Sequence, residues 1–251
     1  MEKAFCPLGA DRQRTSLVRP QGYAAIHPRS GEQGILAFSR NGSSPGVDQR
    51  TMKKTTLYTA ITIGLAVPGV TWVSTLMPGL PWSVYLYEVG RLLALLGFVL
   101  VFFQYVLSSK VSWIERGIGP GTLFKAHRKL GLIALVLILI HPVVLLLSEK
   151  IQGHSAPANP LRLLGALTLV VLCLASLAAL LARRLRMKYQ TWKRIHKAAY
   201  AVFPLAFAHS FLIGGTLQKW PARVLWLVFG AGYAVILLHK ALRGSPTGRQ
   251  P

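Results

Sequence analysis

Acidic residues are scarce in this sequence. Its 251 residues include 7 Asp and Glu against 29 Lys and Arg, and only 14% of the chain is charged. A soluble domain carries about 25% charged residues, so this composition, with 52% hydrophobic residues, indicates a membrane protein. The net charge of +22 does not indicate nucleic-acid binding, because the basic residues form no face with interleaved aromatic side chains.

Cysteine is nearly absent too. Cys6 lies in a polar tail and Cys173 lies in an apolar run. No CxxC or other metal-binding spacing is present, and we do not expect a structural disulfide between these two residues. The sequence therefore gives little support to an iron–sulfur cluster or a zinc site.

The first part of the chain lacks any apolar periodicity. Residues 1–54 are rich in Gly, Ser, Pro and Arg, and we predict a disordered basic tail. A second start is available at Met52, where MKKTTLY precedes an apolar run as in many bacterial membrane proteins. We slightly favour this start, which would leave the first 51 residues without a function.

Six apolar segments follow the tail. Each is near the roughly 20 residues that cross a bilayer as a helix. The fold class predicted is an all-α membrane protein, a six-transmembrane-helix bundle over residues 55–243, with 244–251 as a short cytoplasmic tail. The segments lie near residues 57–76, 84–107, 127–148, 161–182, 196–214 and 222–240.

Lysine and arginine are divided unequally between the two sides of this bundle. Twenty-four lie in the tail, in two alternate loops or after the last span, whereas four lie in the remaining loops and Arg91 lies inside the second span. The positive-inside rule then places both termini in the cytoplasm. We expect a multi-pass protein of a bacterial inner membrane, in contact with lipid.

Four of the seven histidines fall in two of the apolar segments. His127 and His141 are 14 residues apart, which is about 21 Å and about 40° short of four helical turns, so both rings lie near one face. His196 and His209 are 13 apart. The third and fifth helices run in the same direction, so His127 shares a level with His196, and His141 shares a level with His209.

Histidines in register on two parallel spans favour metal binding over simple hydrogen bonding between helices. No Cys, Asp or Glu lies at the level of either pair, which argues against a zinc or di-iron carboxylate site. Two imidazoles from separate helices suit the axial positions of a haem, and an apolar bundle suits its porphyrin. Arg91 fits a propionate, and it fits equally an i,i+3 ion pair with Glu88.

The spacing of 13 presents a difficulty. It ends roughly 140° short of four turns, so His196 and His209 do not share a face of a regular helix. Pro204 lies between them, and we expect it to change the helical pitch locally.

These segments resemble the ferric reductase-like transmembrane domain family. That family includes NADPH oxidases, yeast-type ferric reductases and the haem-binding subunit of the bacterial methionine sulfoxide reductase system. The resemblance covers about residues 57–240 and is carried by HRKLGLIALVLILIHP, by WKRIHKAAYAVFPLAFAHS and by the preceding GRLLALLGFVLVFFQYVLSSKVSWIERGIG. It implies two b-type haems, one held by His127 and His196 near the cytoplasm and one held by His141 and His209 near the outside. It also implies that electrons flow outward.

The larger family members continue into flavin- and nicotinamide-binding domains, whereas only a short segment follows His239 here. The glycine cluster GIGPG at 117–121 follows no strand, so it is not a dinucleotide-binding fingerprint. We therefore expect an oxidoreductase component that receives electrons from a separate flavin reductase or a membrane quinol and passes them to an outer-side acceptor. The basic loop 183–197 either docks an acidic redox partner or serves only to set the topology.

Other functions stay open at this point. One is a haem-bearing anchor subunit for a separate exported oxidoreductase, and another is a haem-free membrane scaffold or transporter. A cytochrome b561-like reductase also has six spans and four histidines, but it spreads its ligands over four helices. No residue is predicted to be catalytic, because an iron with two histidine ligands has no open position.

Overall fold

The structure is a computed structural model that describes residues 46–153 and 159–244. Within these residues the chain is helical and contains no β-strand, which confirms the predicted all-α class. The elements are α1 (Gly46–Val73), α2 (Trp82–Leu107), α3 (Ser112–Ile118), α4 (Pro120–Ile151), α5 (Pro160–Leu181), α6 (Tyr189–Lys197), α7 (Ala199–Ile213), a 3₁₀ turn (Thr216–Gln218) and α8 (Trp220–Gly244).

The beginning of α1 differs from the prediction. The helix begins at Gly46, so the prediction of a disordered tail is wrong for residues 46–54. Neither Gly nor Pro occurs between residues 47 and 63, and a helix extends readily through such a stretch once its apolar part has formed. Residues 1–45, His154 and the segment 245–251 of the predicted cytoplasmic tail lie outside the described residues.

Five helices in the described part of the chain are long and apolar enough to cross a membrane. They are Lys54–Val73, Trp82–Leu107, Pro120–Ile151, Pro160–Leu181 and Trp220–Leu242. The protein is therefore a multi-pass integral membrane protein. The remaining predicted segment, 196–214, forms the 15-residue helix α7, about 22 Å long. That this segment also crosses the bilayer stays a prediction.

α2 lies at the centre of the bundle. Within the 18-residue apolar stretch of α2 that could span a membrane, 56% of the residues are buried, against 11 to 22% for the same stretch in the other four candidate spans. Aromatic rings of α2 and α8 stack in the core, with ring centroids 4.7 Å apart for Phe98 and Trp226 and 4.4 Å apart for Phe102 and Phe229. The other helices carry many exposed apolar side chains, as surfaces that face lipid tails do.

Each histidine-bearing segment packs against a different neighbour. α4 packs most extensively along α2, and α7 packs against α5. Gly90 and Gly97 of α2 permit the approach of α4, because a Cβ atom there would lie 2.8 Å from Leu145 Cδ2 and 2.6 Å from Ile138 Cγ1 respectively. The bundle therefore brings two separate helix pairs, α2 with α4 and α5 with α7, to the histidine sites.

Candidate functional site

The helical pitch changes at Ala198, between α6 and α7. The Ala198 amide donates to the Ile195 carbonyl and the Ala201 amide donates to the Ala198 carbonyl, both at 2.9 Å. Such i,i+3 hydrogen bonds wind the chain more tightly than an α-helix, which adds rotation between His196 and His209 and reduces the angular shortfall of their spacing. The expected change of pitch occurs at Ala198, whereas Pro204 lies inside α7.

Two tyrosines fix the start of α7 after this break. Pro204 has no amide hydrogen, so the Tyr200 carbonyl loses its usual helical donor. The Tyr233 hydroxyl of α8 donates to that carbonyl at 2.5 Å. The Tyr105 hydroxyl of α2 donates to the neighbouring Ala199 carbonyl, also at 2.5 Å. The direction of α7, and with it the position of His209, is therefore set by α2 and α8.

The structure brings His127 of α4 and His196 of α6 together, and we call them the basic-end pair because lysines and arginines flank both. Their ring centroids are 6.3 Å apart and their ring planes meet at 77°. Two metal–nitrogen bonds of about 2 Å each, with the radius of an imidazole ring on either side, account for a separation of this size. Trp192 stacks on the His196 ring, with centroids 5.6 Å apart and 11° between the planes.

His141 of α4 and His209 of α7 also come together, in the wall of one cavity, and we call them the cavity pair. The cavity has a volume of about 390 Å³ and lies between α2, α4, α5 and α7. A volume of this order is typical of cofactor sites. Gly165 of α5 leaves space for the His209 ring, because a Cβ atom at this position would lie 2.6 Å from the ring's Cε1 atom.

Three of the four imidazoles direct Nδ1 at a backbone carbonyl of a neighbouring helix. The distances are 2.8 Å from His141 to Gly90, 3.3 Å from His196 to Ala175 and 2.7 Å from His209 to Leu161. A carbonyl oxygen only accepts, so Nδ1 carries the hydrogen in each ring. The lone pair of a neutral ring is then on Nε2, the arrangement that a metal-binding histidine needs.

His127 has a different neighbour, the side-chain amide of Gln104 on α2. Both ends of this amide are satisfied when its nitrogen lies 2.8 Å from the His127 carbonyl and 3.0 Å from His127 Nδ1, while its oxygen accepts from the Gly131 amide at 3.2 Å. In this arrangement Nδ1 accepts and Nε2 carries the hydrogen. Metal binding through Nε2 would require the Gln104 amide to turn, so that its oxygen accepts from Nδ1–H.

Arg91 lies in the wall of the same cavity as His141 and His209. One of its guanidinium nitrogens is 2.6 Å from a Glu88 carboxylate oxygen, and another donates to the Thr216 hydroxyl at 2.7 Å. The i,i+3 ion pair, one of the two predicted roles, is therefore present. The second carboxylate oxygen of Glu88 is buried without a hydrogen-bond partner.

The sequence did not reveal a second ion pair in the cavity wall. Arg162 at the start of α5 donates two hydrogen bonds to Glu149 near the end of α4, at 3.0 and 2.5 Å. These residues are on different helices, so no spacing indicates their contact. The stacking of Trp192 on His196 was also missed, although their i,i+4 spacing places them on one helix face.

The described residues contain no group of three or more His, Cys, Asp and Glu side chains arranged to hold a metal ion. A structural zinc site uses four such ligands and a catalytic one uses three. A haem iron needs only two axial protein ligands, because the porphyrin supplies the others. Two pairs of histidines, His127 with His196 and His141 with His209 in one cavity wall, are therefore a donor set that fits haem.

Two comparisons with known proteins bear on this site. The family described as ferric reductase like transmembrane component matches residues 93–207, a range that contains His127, His141 and His196 and ends just before His209. An uncharacterized protein of Archaeoglobus fulgidus is 24% identical over 156 residues, which cover 58% of this chain and 85% of that protein.

The family match falls on the helices that carry the histidines, and it indicates a membrane electron-transfer component. It agrees with the resemblance carried by the paired histidines and with the membrane spans of the structure. Over residues 93–207 this chain is therefore similar to the ferric reductase like transmembrane component family.

Proposed function

We propose that this protein binds two b-type haems, one at each histidine pair, and carries electrons across its membrane. The observation that carries the proposal is the orientation of the imidazoles. Nδ1 of His141, His196 and His209 lies within 3.3 Å of a backbone carbonyl, which leaves Nε2 as the metal-binding atom.

The residues of this chain would hold the cofactors and shield them. Haem iron supplies a reversible one-electron couple when it is bound. Two imidazoles would hold the haem at each site, and a haem held in this way would have no open position for substrate. Arg91 and Arg162 lie in the cavity wall and pair with Glu88 and Glu149, so each would have to exchange its glutamate to meet a propionate of a haem at the cavity pair. Conduction of electrons, rather than bond-making, follows from this arrangement.

The orientation of the chain gives this conduction a direction. The excess of lysine and arginine near the basic-end pair puts that pair at the cytoplasmic side by the positive-inside rule. Electrons from a flavin reductase or a membrane quinol enter there and leave through the cavity pair to an acceptor outside. The protein therefore serves as the membrane component of an oxidoreductase.

Visible spectroscopy tests the proposal. Reduced-minus-oxidised spectra and haem-to-protein ratios are measured on the wild type, His127→Ala and His141→Ala, with His239→Ala as the matched control. We expect two low-spin haems in the wild type and the control and one haem in each of the other variants. Wild-type protein that stays colourless after haem supplementation would contradict the proposal.

A further inference from the structure

We propose that Tyr189 and Trp192 of α6, with the basic residues around them, form the surface at which an acidic electron-carrying protein docks and delivers electrons. This inference rests on the proposed function, because it assumes an iron bound by His196. It adds a partner of defined chemistry and a route from that partner to the basic-end pair. On the proposed orientation the surface faces the cytoplasm.

A row of aromatic rings leads from the exposed face of α6 to the basic-end pair. Tyr189 is 62% exposed, and its ring centroid lies 5.5 Å from that of Trp192. Trp192 in turn stacks on His196 at 5.6 Å with an angle of 11° between the planes. His196 lies 6.3 Å from His127. The successive π systems thus connect the surface of the protein to the histidines without a gap.

The charge around this row of rings favours an acidic partner. The segment 183–197 contains no Asp or Glu, so nothing within it neutralises its positive charge. Complementary charge raises the rate at which proteins meet and fixes their relative orientation. The seven basic residues, all of them exposed, are Arg183, Arg184, Arg186, Lys188, Lys193, Arg194 and Lys197.

Topology alone accounts for the charge but not for the rings. The positive-inside rule requires lysine and arginine, and it requires no parallel stacking of a tryptophan on a histidine. Lys193 lies over the Tyr189 ring at 5.6 Å, so a cation and an exposed aromatic ring stand side by side at the outer end of the row. Tyr and Trp are among the residue types that dominate binding energy at protein interfaces.

The proposed reaction is the transfer of a single electron. One electron would leave the reduced carrier and one would arrive at the ferric iron of a haem held by His196. No covalent bond forms or breaks, and neither Tyr189 nor Trp192 is oxidised at the end. The rings serve only as positioning residues that shorten the distance between the carrier and the iron.

Binding and reduction are measured separately to test this proposal. The probe is a flavodoxin, a small acidic flavoprotein, with the wild-type protein held in nanodiscs of neutral lipid. Lys188→Glu/Lys193→Glu should weaken binding of the oxidised probe about tenfold or more at low salt, while Lys219→Glu/Arg223→Glu should leave binding unchanged. Equal binding of the two double variants would overturn the docking surface.

The rate of iron reduction by the flavodoxin hydroquinone tests the route. Trp192→Leu should slow reduction by an order of magnitude or more while haem content and midpoint potential stay unchanged, and Trp192→Phe should restore most of the rate. Trp220→Leu, which removes a 76% exposed tryptophan far from α6 in sequence, is the matched control. Reduction of Trp192→Leu at the wild-type rate would overturn the route.

The same samples separate this inference from its alternatives. A wild type without haem would end the proposed function, and it would do so before any kinetics are measured. Charge reversal that matters only in nanodiscs of anionic lipid, with no flavodoxin binding in either lipid, would make α6 a lipid-binding helix and would overturn the inference alone.

Discussion

At the scale of single residues, backbone carbonyls decide what the imidazoles can do. The Gly90, Ala175 and Leu161 carbonyls lie within 3.3 Å of an Nδ1 atom. These acceptors are backbone atoms, so a point substitution does not remove them. The tautomer of each ring therefore depends on how closely the neighbouring helix packs. Substitutions that shift a ring by one van der Waals radius should therefore matter more than changes in nearby charge.

Gly165→Ala should disturb the cavity pair alone. Its Cβ would lie 2.6 Å from Cε1 of His209, so the ring must move and its hydrogen bond to Leu161 should lengthen. We expect haem to be lost or converted to a high-spin form at this pair, while the basic-end haem stays. The measurement is haem content with the visible spectrum.

Gly121→Ala is the control for this substitution, because a Cβ atom at Gly121 would have no heavy atom within 4 Å. It should keep both haems. An unaltered spectrum and two haems in Gly165→Ala would contradict the expectation.

The sequence predicted the residues whose signal is periodic. The four histidines stand out through their spacing, and the pairing of Arg91 with Glu88 follows from an i,i+3 relation. Gln104 beside His127 and Gly165 beside His209 have no such signal, because each contact joins two helices that are far apart in sequence. No regular spacing along the sequence indicates such a contact between two helices, so only the folded structure could reveal it.

At the scale of elements, the break between α6 and α7 reduces the angular difference between the spacing of 13 from His196 to His209 and the spacing of 14 from His127 to His141. The i,i+3 hydrogen bonds at Ala198 wind the chain more tightly, and the hydroxyls of Tyr105 and Tyr233 hold the carbonyls that follow. The apolar runs of the sequence were enough to predict where the helices lie. The exact place of the break could not be predicted, because it depends on which neighbouring side chains reach the freed carbonyls.

Tyr233→Phe should destabilise the fold because it removes the hydrogen bond to one backbone carbonyl, that of Tyr200. The Tyr200 carbonyl would lose its side-chain donor while Pro204 still supplies no amide, and an unsatisfied buried acceptor costs about 1–3 kcal/mol. We expect a lower midpoint of thermal unfolding in detergent. Adding Pro204→Ala should recover part of this loss, because an alanine at that position restores an amide to the helical ladder.

The double variant provides the control for this interpretation. If the tyrosine ring acted only by packing, Pro204→Ala would change stability equally in both backgrounds. Strict additivity of the two substitutions would therefore count against the hydrogen bond as the cause.

At the scale of the whole molecule, charge and hydrophobicity divide the protein into two unlike ends joined by an apolar middle. Twenty-four of the 29 lysines and arginines lie on one predicted side and four on the other. This division was readable from the sequence because it is a sum over many residues, and no single contact can reverse it. It predicts the orientation on which the proposed direction of electron flow depends.

Cysteine labelling tests the orientation. With both native cysteines replaced by serine, Lys219→Cys should react with a membrane-impermeant maleimide on intact cells, and Lys188→Cys should react only after the membrane is opened. The exposed side chains of both lysines make accessibility a matter of side rather than of burial. Labelling of Lys188→Cys alone in intact cells would reverse the orientation and the direction of electron flow.

The unequal lengths of α4 and α7, which hold His141 and His209, have a consequence for the surrounding lipid. α4 has 32 residues and α7 has 15, which correspond to about 48 Å and 22 Å of helix, while the hydrocarbon core measures about 30 Å. A helix that is too long tilts, and one that is too short thins the leaflets beside it. The two halves of the cavity pair, His141 on α4 and His209 on α7, therefore respond to a change in acyl-chain length in opposite ways. Bilayer thickness becomes a variable that acts directly on how the imidazoles meet.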